Sequence, residues 1–358
     1  MDNVNVFVTG IGGGGHGEQI LKALKIAKTK YTIIGGDISP YSKGLFEVHR
    51  GYILPPAKDP RYIDTILNVC KEHQISALFH GSEPELKAMA ANREILEAHG
   101  LFLPINPSNV IETCMDKVKL FDLLKSKGFH YIAFHKIMSP QDLEDFDTLP
   151  AVLKPSVGSG GSTNSFLAQS KEELLSLGRY LLSIYPEFII QEYVGTPDCE
   201  YTVGILMSMD GEVLNSIAVK RNILSSLSNR LKVENRTRNK NLGDILALSS
   251  GISQGEIGPF PEVTRPCEEV ALALGARGPL NIQCRFVDNK VYIFEINPRF
   301  SGTTSLRAMV GFNEPDLLIR KHVLKEEVEP HFKYGSGIIV RGLSELLIDP
   351  ANLPRSIT

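Results

Sequence analysis

Hydrophobic positions in the first third of the chain fall in short runs separated by helical patterns. Apolar runs at residues 4–10, 31–37 and 75–81 are typical of buried strands, and a last short strand is predicted at 102–104. Helical spacing of apolar residues occupies 18–28, 60–73 and 84–99. Strands that alternate with helices predict a parallel, doubly wound sheet.

Helical and polar patterns follow. Residues 108–127 predict one long helix, with Ser108 as its N-cap and Gly128 just beyond its end. A further helix is predicted at 171–184. Residues 222–251 are polar, rich in Ser and Asn, and weakly periodic, which predicts a long loop. Such a loop is either a solvated surface or a flap that closes over an anionic substrate.

The clearest alternation lies at 281–299, NIQCRFVDNKVYIFEINPR. Two alternating runs flank Asp288-Asn289-Lys290, which predicts a β-hairpin; folding it about Asn289 places Gln283 opposite Glu295. One predicted face is apolar: Ile282, Cys284, Phe286, Tyr292, Phe294 and Ile296. The other face is polar: Asn281, Gln283, Arg285, Glu295, Asn297 and Arg299.

The polar face of this predicted hairpin offers a metal site. Glu295, Asn297 and Gln283 supply oxygen ligands, and a guanidinium lies beside them. Hard oxygen donors next to an arginine suit Mg²⁺ held together with a phosphorylated ligand. The alternative is the solvated outer face of an antiparallel sheet.

A second segment, AVLKPSVGSGGSTNS at 151–165, points to phosphate. A short apolar strand carries Lys154 and runs into a loop rich in Gly and Ser. Glycine lacks a Cβ, so backbone N–H groups of such a loop can approach phosphate oxygens, and Lys154 adds a positive charge. The lysine precedes the glycines, so this is not the GxxxxGK[ST] loop. A flexible connection is the alternative.

The opening GIGGGG at 10–15 fits the GxGxxG pattern of dinucleotide-binding folds, with Asp37 at the end of the next strand. A nicotinamide-dependent enzyme is therefore an open alternative. The same turn also allows a helix N-terminus at residues 16–18 to hold an anionic group of a substrate. Glu83 or Glu85, after the third strand, is a candidate for holding an amine, or else both acids only stabilise a helix N-terminus.

Composition narrows the class of protein. The 358 residues suggest two or three domains, and the net charge of −3 gives no electrostatic case for binding nucleic acid or an anionic membrane surface. Five scattered cysteines without a CxxC motif favour reduced thiols in a cytoplasmic protein. We expect neither a signal peptide nor a transmembrane helix.

Taken together, these motifs resemble the ATP-grasp superfamily, in the branch of the carbamoyl-phosphate synthase large subunit and biotin carboxylase. The resemblance covers roughly 4–323. Five motifs appear in family order, namely Asp116-Lys117, VLKPSVGSGGS, IIQEYVG, NIQ and FEINPR. It implies an α/β and α+β protein in which an N-terminal Rossmann-like domain precedes an ATP-grasp core. It also implies ATP with Mg²⁺ or Mn²⁺, and chemistry through an acyl-phosphate.

The resemblance also implies residue roles. Lys117 and Lys154 contact phosphates under a lid formed by Gly158, Ser159, Gly160, Gly161 and Ser162. Gln191 faces the adenine amino group, Glu192, Tyr193 and Val194 run along the base, and Asp198 binds the ribose. Gln283, Glu295 and Asn297 hold the metal, while Arg299 stabilises the transferring group. Ser253 stands where carbamoyl-phosphate synthase has a histidine, which weakens the case for that particular activity.

We therefore expect an ATP-dependent ligase that joins small-molecule carboxylate and amine substrates, with a homodimer left open. The expected division is 1–112 for the N-terminal domain, 113–147 for a linker helix region, 148–192 for the lid and 193–358 for the remainder. Two further alternatives are a carbamoyl-phosphate-synthase-like enzyme that phosphorylates bicarbonate or carbamate, and a nucleotide-binding regulatory module.

Overall fold

A computed structural model describes residues 3–157 and 164–354. The strands are β1 (Val4–Thr9), β2 (Tyr31–Asp37), β3 (Arg50–Ile53), β4 (Ala77–Phe79), β5 (Phe134–Ile137), β6 (Ala151–Pro155), β7 (Phe166–Ala168), β8 (Phe188–Glu192), β9 (Glu200–Met207), β10 (Val213–Arg221), β11 (Asn229–Glu234), β12 (Ile245–Ser249), β13 (Gly255–Gly258), β14 (Pro279–Val287), β15 (Lys290–Asn297) and β16 (Gly337–Ile339). The helices are α1 (His16–Lys25), α2 (Tyr62–Glu72), α3 (Glu83–Ala91), α4 (Arg93–Ala98), α5 (Ser108–Met115), α6 (Lys117–Ser126), α7 (Pro140–Glu144), α8 (Lys171–Leu182), α9 (Pro261–Leu274), α10 (Thr304–Met309) and α11 (Glu314–His322).

The N-terminal sheet has the order β3-β2-β1-β4, and all its pairings are parallel. The parallel sheet predicted from the alternation of strands and helices is thus confirmed. The strand predicted at 102–104 is reduced to one bridge between Phe102 and Ala77, because Pro104 cannot donate a further ladder bond. The carboxyl ends of β1 and β4 lead into the glycine turn and into α3, which both face the rest of the molecule.

The prediction of a single helix at 108–127 is wrong. The chain forms α5 and α6, which are separated at Asp116, where the backbone is extended (φ −112°, ψ 107°). The Asp116 carboxylate accepts the N–H groups of Val118 and Lys119, so this residue caps α6 instead of continuing a helix. Gly128 has φ 76°, as predicted for a residue after a helix end, whereas Ser108 begins α5 without acting as its N-cap.

A second sheet, ordered β5-β8-β6-β7, packs under α8 and is antiparallel. Its strand β5 was not predicted, and it lies in the region expected to be a helical linker. Phe134 pairs with Gln191, so β5 covers the outer edge of β8. Sequence reasoning missed β5 because FHKI is a short run with two exposed positions.

The largest sheet has the order β15-β14-β9-β10-β13-β16 and is antiparallel throughout. One face packs on α9 through a core that includes Val263, Val270 and Ile282. The opposite face meets α10 and α11 near the N-terminal domain. This sheet therefore packs on α9 with one face and, through α10 and α11, connects to the N-terminal domain with the other.

The prediction of a long loop at 222–251 is also wrong, because this segment contains the antiparallel strand pair β11–β12. In β11 exposed and half-buried residues alternate, and Leu231 and Val233 pack against Leu246 and Leu248 beside Tyr193. The two apolar positions in β11 are sparse among charged neighbours, so the period-2 pattern was easy to miss.

The hairpin predicted at 281–299 forms, and Gln283 lies opposite Glu295 as predicted. The turn residues Asp288 and Asn289 have φ 49° and 58°, a left-handed pair that suits a two-residue hairpin. A β-bulge at Phe294 changes the register between this turn and the site. The prediction that Tyr292 and Phe294 lie on the apolar face is therefore wrong, and Val291 and Ile293 enter the core instead.

No helix among the described residues is long and apolar enough to cross a membrane.

The buried ion pair of Arg307 and Glu314 yields a stability prediction. Both side chains are fully buried, their closest atoms are 3.0 Å apart, and Arg307 also donates to Asn281 Oδ1 at 2.6 Å. Glu314→Ala should lower the free energy of unfolding by about 3–5 kcal/mol, because it leaves a buried guanidinium unpaired. Urea denaturation measures this change.

The matched control is Glu212→Ala, which removes an exposed partner of Lys321 at 3.5 Å. That loss should be at most about 1 kcal/mol. Equal effects of the two substitutions would contradict the ion-pair analysis.

Candidate active site

Two cavities meet at Glu295, which lines both of them. The first cavity lies between the β5-β8-β6-β7 sheet and the large sheet. It brings together five side chains predicted to contact a nucleotide: Lys154, Gln191, Glu192, Tyr193 and Val194. Phe294 and residues 247–249 of β12 complete its walls. The bulge at Phe294 and the unpredicted strand β12 thus both contribute to this cavity.

The polar groups of the first cavity are held in place by backbone partners. Gln191 is buried and its amide nitrogen donates to the carbonyl of Ile132 at 2.9 Å, so its carbonyl oxygen is the atom left to face a ligand. The Tyr193 hydroxyl donates to the carbonyl of Ala247 and accepts from its N–H. The guanidinium of Arg285 lies 4.3 Å from the centre of the Tyr193 ring. These contacts give the cavity a rigid polar edge and an apolar floor.

The second cavity is lined almost entirely by polar groups. Its walls come from the hairpin (Gln283, Glu295, Asn297), the glycine turn at 13–15, and the segments 250–253 and 301–303. His16, Glu83 and Arg299 also line it. Of the described side chains that line it, only Ile252 is a large apolar one. The cavity therefore suits a hydrophilic ligand.

Two of the three hairpin residues predicted to hold a metal, Glu295 and Asn297, are hydrogen-bonded to each other, and the third, Gln283, lies opposite Glu295 on the neighbouring strand. Asn297 donates to Glu295 Oε1 at 3.0 Å, and Arg299 donates to Asn297 Oδ1 at 2.9 Å. Gln283 Oε1 faces Arg221 Nη1 at 3.4 Å. The described residues contain no cluster of three or more His, Cys, Asp or Glu side chains suited to a metal ion. One carboxylate and two amide oxygens fit Mg²⁺, which commonly takes its remaining ligands from water and substrate phosphates.

A buried carboxylate connects the two cavities. Glu200 Oε1 accepts from Arg221 at 2.9 Å, and Glu200 Oε2 faces Arg285 at 3.4 Å. Arg221 also donates to Ser249 Oγ and to the carbonyls of Ser250 and Ile252, which belong to the wall of the second cavity. Arg221 is the last residue of β10 and is buried, although the segment that follows it was expected to be a polar loop.

The glycine turn does not present a free carboxylate for a dinucleotide ribose. The Asp37 carboxylate accepts the N–H groups of Gly12 and Ser39 at 2.9 and 3.0 Å, so it stabilises the turn itself. The N-terminus of α1 faces the second cavity through residues 13–16, as expected for contact with a substrate.

Comparison with known proteins agrees with this architecture. Residues 10–103 match a family model described as the PylC-like N-terminal domain, and residues 238–345 match one described as ATP-grasp in the biosynthetic pathway with Ter operon. The chain is 20% identical over 260 residues to the carbamoyl phosphate synthase large chain of Thermoplasma acidophilum; the match covers 69% of this chain and only 23% of that protein.

Among solved structures, an ADP complex of N5-carboxyaminoimidazole ribonucleotide synthetase superposes with a TM-score of 0.63 at 15% identity, covering 94% of this chain and 79% of that one. The L-amino acid ligase from Bacillus licheniformis gives 0.61 at 18% identity, covering 92% and 78%. The biotin carboxylase domain of the Hydrogenobacter thermophilus 2-oxoglutarate carboxylase gives 0.58 at 14% identity, covering 88% and 68%.

This chain has the ATP-grasp fold. Its resemblance to that superfamily, and the Rossmann-like N-terminal domain that precedes the ATP-grasp core, are both confirmed.

The residue predicted to bind the ribose lies away from the first cavity of this ATP-grasp chain. Asp198 is exposed in a short 3₁₀ turn at Pro197–Cys199, where it accepts a hydrogen bond from Thr196, and it does not line the cavity. The predicted lid residues Gly158, Ser159, Gly160, Gly161 and Ser162 lie outside the described residues.

The two predicted phosphate-binding lysines of the ATP-grasp core are buried close together. Lys154 donates to the carbonyl of Phe294 at 3.0 Å, and Lys117 begins α6. Burial, together with the charge of Lys117, lowers the pKa of Lys154 to about 7, although the Glu295 and Glu200 carboxylates act in the opposite direction. Two buried cations that repel each other favour an anion between them.

The lowered pKa of Lys154 predicts proton uptake when a polyphosphate binds. Above pH 7 this lysine is largely neutral in the ligand-free protein, and a phosphate beside it favours the charged form. ADP or ATP binding at pH 8 should therefore take up close to one proton at Lys154, and much less at pH 6. Calorimetric titration in buffers of different ionisation enthalpy measures the uptake.

Lys154→Arg is the control, because arginine stays charged in both states. It should bind nucleotide with the uptake at pH 8 abolished. A wild-type uptake equal to that of the variant would contradict the assignment.

The same pKa shift makes the stability of the protein depend on pH. The pKa of Lys154 is lowered from 10.5 to about 7 in the folded protein, so the unfolded chain binds more protons between pH 7 and pH 10.5. The free energy of unfolding therefore rises with pH in this range.

Proposed function

We propose that the protein is an ATP-dependent carboxylate–amine ligase, which activates a carboxylate as an acyl-phosphate and releases ADP and phosphate when an amine attacks. The observation that carries this proposal is the meeting of two cavities at Glu295. One is lined by the buried Lys154 and by residues 191–194, and the other, the larger of the two, is lined almost entirely by polar groups. Phosphoryl transfer between two bound substrates needs such a junction.

Charge supports a bound polyphosphate. Lys154 is buried in the wall of the first cavity, and the buried Lys117 lies close enough that its charge lowers the pKa of Lys154. A phosphate group offsets this repulsion between two cations, whereas an uncharged ligand leaves it uncompensated. Lys154 and Lys117 then orient and neutralise the phosphates, and Gln191 offers its carbonyl to the adenine amino group.

The hairpin is proposed to hold the metal ion. Glu295, Asn297 and Gln283 would bind Mg²⁺, or Mn²⁺, which prefers the same oxygen ligands. When bound, the ion neutralises charge on the phosphate oxygens. Arg299 lies beside Asn297 and is proposed to stabilise charge on the transferring phosphoryl group and on the tetrahedral intermediate. Gly158, Ser159, Gly160, Gly161 and Ser162 are proposed, from the sequence, to exclude water from the acyl-phosphate.

A second candidate is phosphorylation of bicarbonate or carbamate, which the similarity to carbamoyl phosphate synthase favours. The polar second cavity admits either substrate, so product analysis must separate the two. A purely regulatory module is less well supported, because Lys154, Glu295, Asn297 and Arg299 all line or border the two cavities.

We also propose that the chain divides into the parts 1–112, 113–147, 148–192 and 193–358. One change is made: β5 (Phe134–Ile137) belongs with the lid, because it is part of the β5-β8-β6-β7 sheet.

The test is ADP release over a panel of amino acids, amino sugars and bicarbonate, with products identified by mass. Glu295→Gln should reduce substrate-dependent ADP release by roughly 100-fold or more, because losing the one metal-binding carboxylate costs several kcal/mol of transition-state stabilisation.

The control is Asp288→Asn, the same chemical change at the exposed turn of the same hairpin. It should release ADP at the wild-type rate, since Asn tolerates the left-handed backbone there. A folded Glu295→Gln protein with wild-type turnover would rule out the metal assignment.

A further inference from the structure

Helix α3 begins with two glutamates whose surroundings differ. Glu85 is 5% exposed, and its carboxylate accepts the Gly81 N–H at 3.1 Å, the Ser82 hydroxyl at 2.9 Å and the Tyr62 hydroxyl at 3.3 Å. These bonds close the turn between β4 and α3. Glu85 is therefore occupied by the fold and is not available to a ligand.

Glu83 faces the second cavity instead. Its side chain is 26% exposed, and its Oε1 lies 3.4 Å from Arg299 Nη2. That distance is longer than a strong charge-assisted hydrogen bond, and an ionised carboxylate has about four acceptor positions. Glu83 thus keeps acceptor capacity on the side that faces the cavity.

The position of Glu83 relative to the reaction centre follows from Arg299. The same guanidinium that contacts Glu83 donates to Asn297 Oδ1 at 2.9 Å on the metal-binding hairpin. One side chain therefore separates Glu83 from the place where the acyl-phosphate is proposed to form. A nucleophile held by Glu83 lies beside that electrophile.

His16 adds an uncharged group to the same cavity. It lines the cavity and its Nε2 lies 3.2 Å from His80 Nδ1. Burial and the nearby Arg299 charge hold the pKa of His16 well below its usual value, so the imidazole is neutral and does not repel a cation. Glu83 therefore supplies the negative charge that an ammonium ion needs, beside a group that adds no positive charge of its own.

We propose that Glu83 binds the amine substrate as its ammonium ion and accepts the proton that frees the nitrogen for attack. This inference rests on the ligase function proposed above. The ammonium gives one proton to the Glu83 carboxylate, and the freed electron pair forms the C–N bond with the acyl carbon. As the C–O bond to phosphate breaks, its electron pair leaves with the phosphate, which takes a second proton from nitrogen. Glu83 then returns its proton to water.

The experiment compares two nucleophiles for the carboxylate that gives the highest ADP release in the panel. Hydroxylamine is uncharged at neutral pH and forms a hydroxamate without needing an ammonium site. The amine from the panel arrives protonated. Glu83→Gln should lower the ratio of amide to hydroxamate by roughly 100-fold, the size of effect typical of a lost general base. Glu83→Asp should recover part of that ratio, because it keeps a carboxylate.

The control is Glu94→Gln, an exposed first-turn glutamate of the adjoining helix α4. It should keep the wild-type ratio. A wild-type ratio of amide to hydroxamate in Glu83→Gln overturns the proposal. This holds when both products persist and also when both fall together, because a common fall places Glu83 in acyl-phosphate formation instead. If Glu83→Gln does not fold, the same decision is made on Glu83→Ala, which also lacks the carboxylate. A wild-type protein that forms neither product from any acid contradicts the ligase function itself.

Discussion

One extra residue in a hairpin determines which side chains meet at this site. Before the bulge at Phe294, the pairing of β14 with β15 sends Val291 and Ile293 into the core; after it, Glu295 and Asn297 face the two cavities. Without the bulge the strand would keep a strict period of two, and a buried Ile293 would place Glu295 on the core side. The metal-binding face and the packed face of the hairpin therefore depend on each other.

The second organising interaction is the carboxylate of Glu200 between two arginines. Arg285 packs on Tyr193 in the first cavity, while Arg221 holds the backbone of the 250–252 segment in the second. Burying one carboxylate with two guanidinium groups is costly unless hydrogen bonds satisfy them. Backbone carbonyls and Ser249 satisfy most of the donors here, while Arg221 Nε has no partner among the described residues. The shape of each cavity is thus tied to the same charged cluster.

Much of the fold and part of the site follow from local sequence patterns. Parallel strands, the hairpin turn and the residues gathered at the first cavity were predictable because each depends on nearby periodicity or on an ordered set of motifs. The predicted pairing of Gln283 with Glu295 is right although the predicted turn centre is not. The prediction folds the hairpin about Asn289, whereas the turn is centred between Asp288 and Asn289, and the extra residue of the bulge compensates for this shift of half a residue. The same bulge made the faces of Tyr292 and Phe294 wrong.

Other features depend on contacts that no local pattern encodes. Asp116 interrupts a helical pattern because residues 156–157, far along the chain, pair with it and with Lys117. Arg221 looks like a surface charge until Glu200 and Ser249 are folded against it. Each outcome reflects a tertiary partner and not an intrinsic preference.

The central claim is that a carboxylate is activated as an acyl-phosphate at the junction of the two cavities. The most direct measurement follows ¹⁸O from a carboxylate-labelled acid substrate into the released products. An acyl-phosphate requires one labelled oxygen in the inorganic phosphate, with ADP as the nucleotide product. Unlabelled phosphate, or release of AMP and pyrophosphate, would contradict the account.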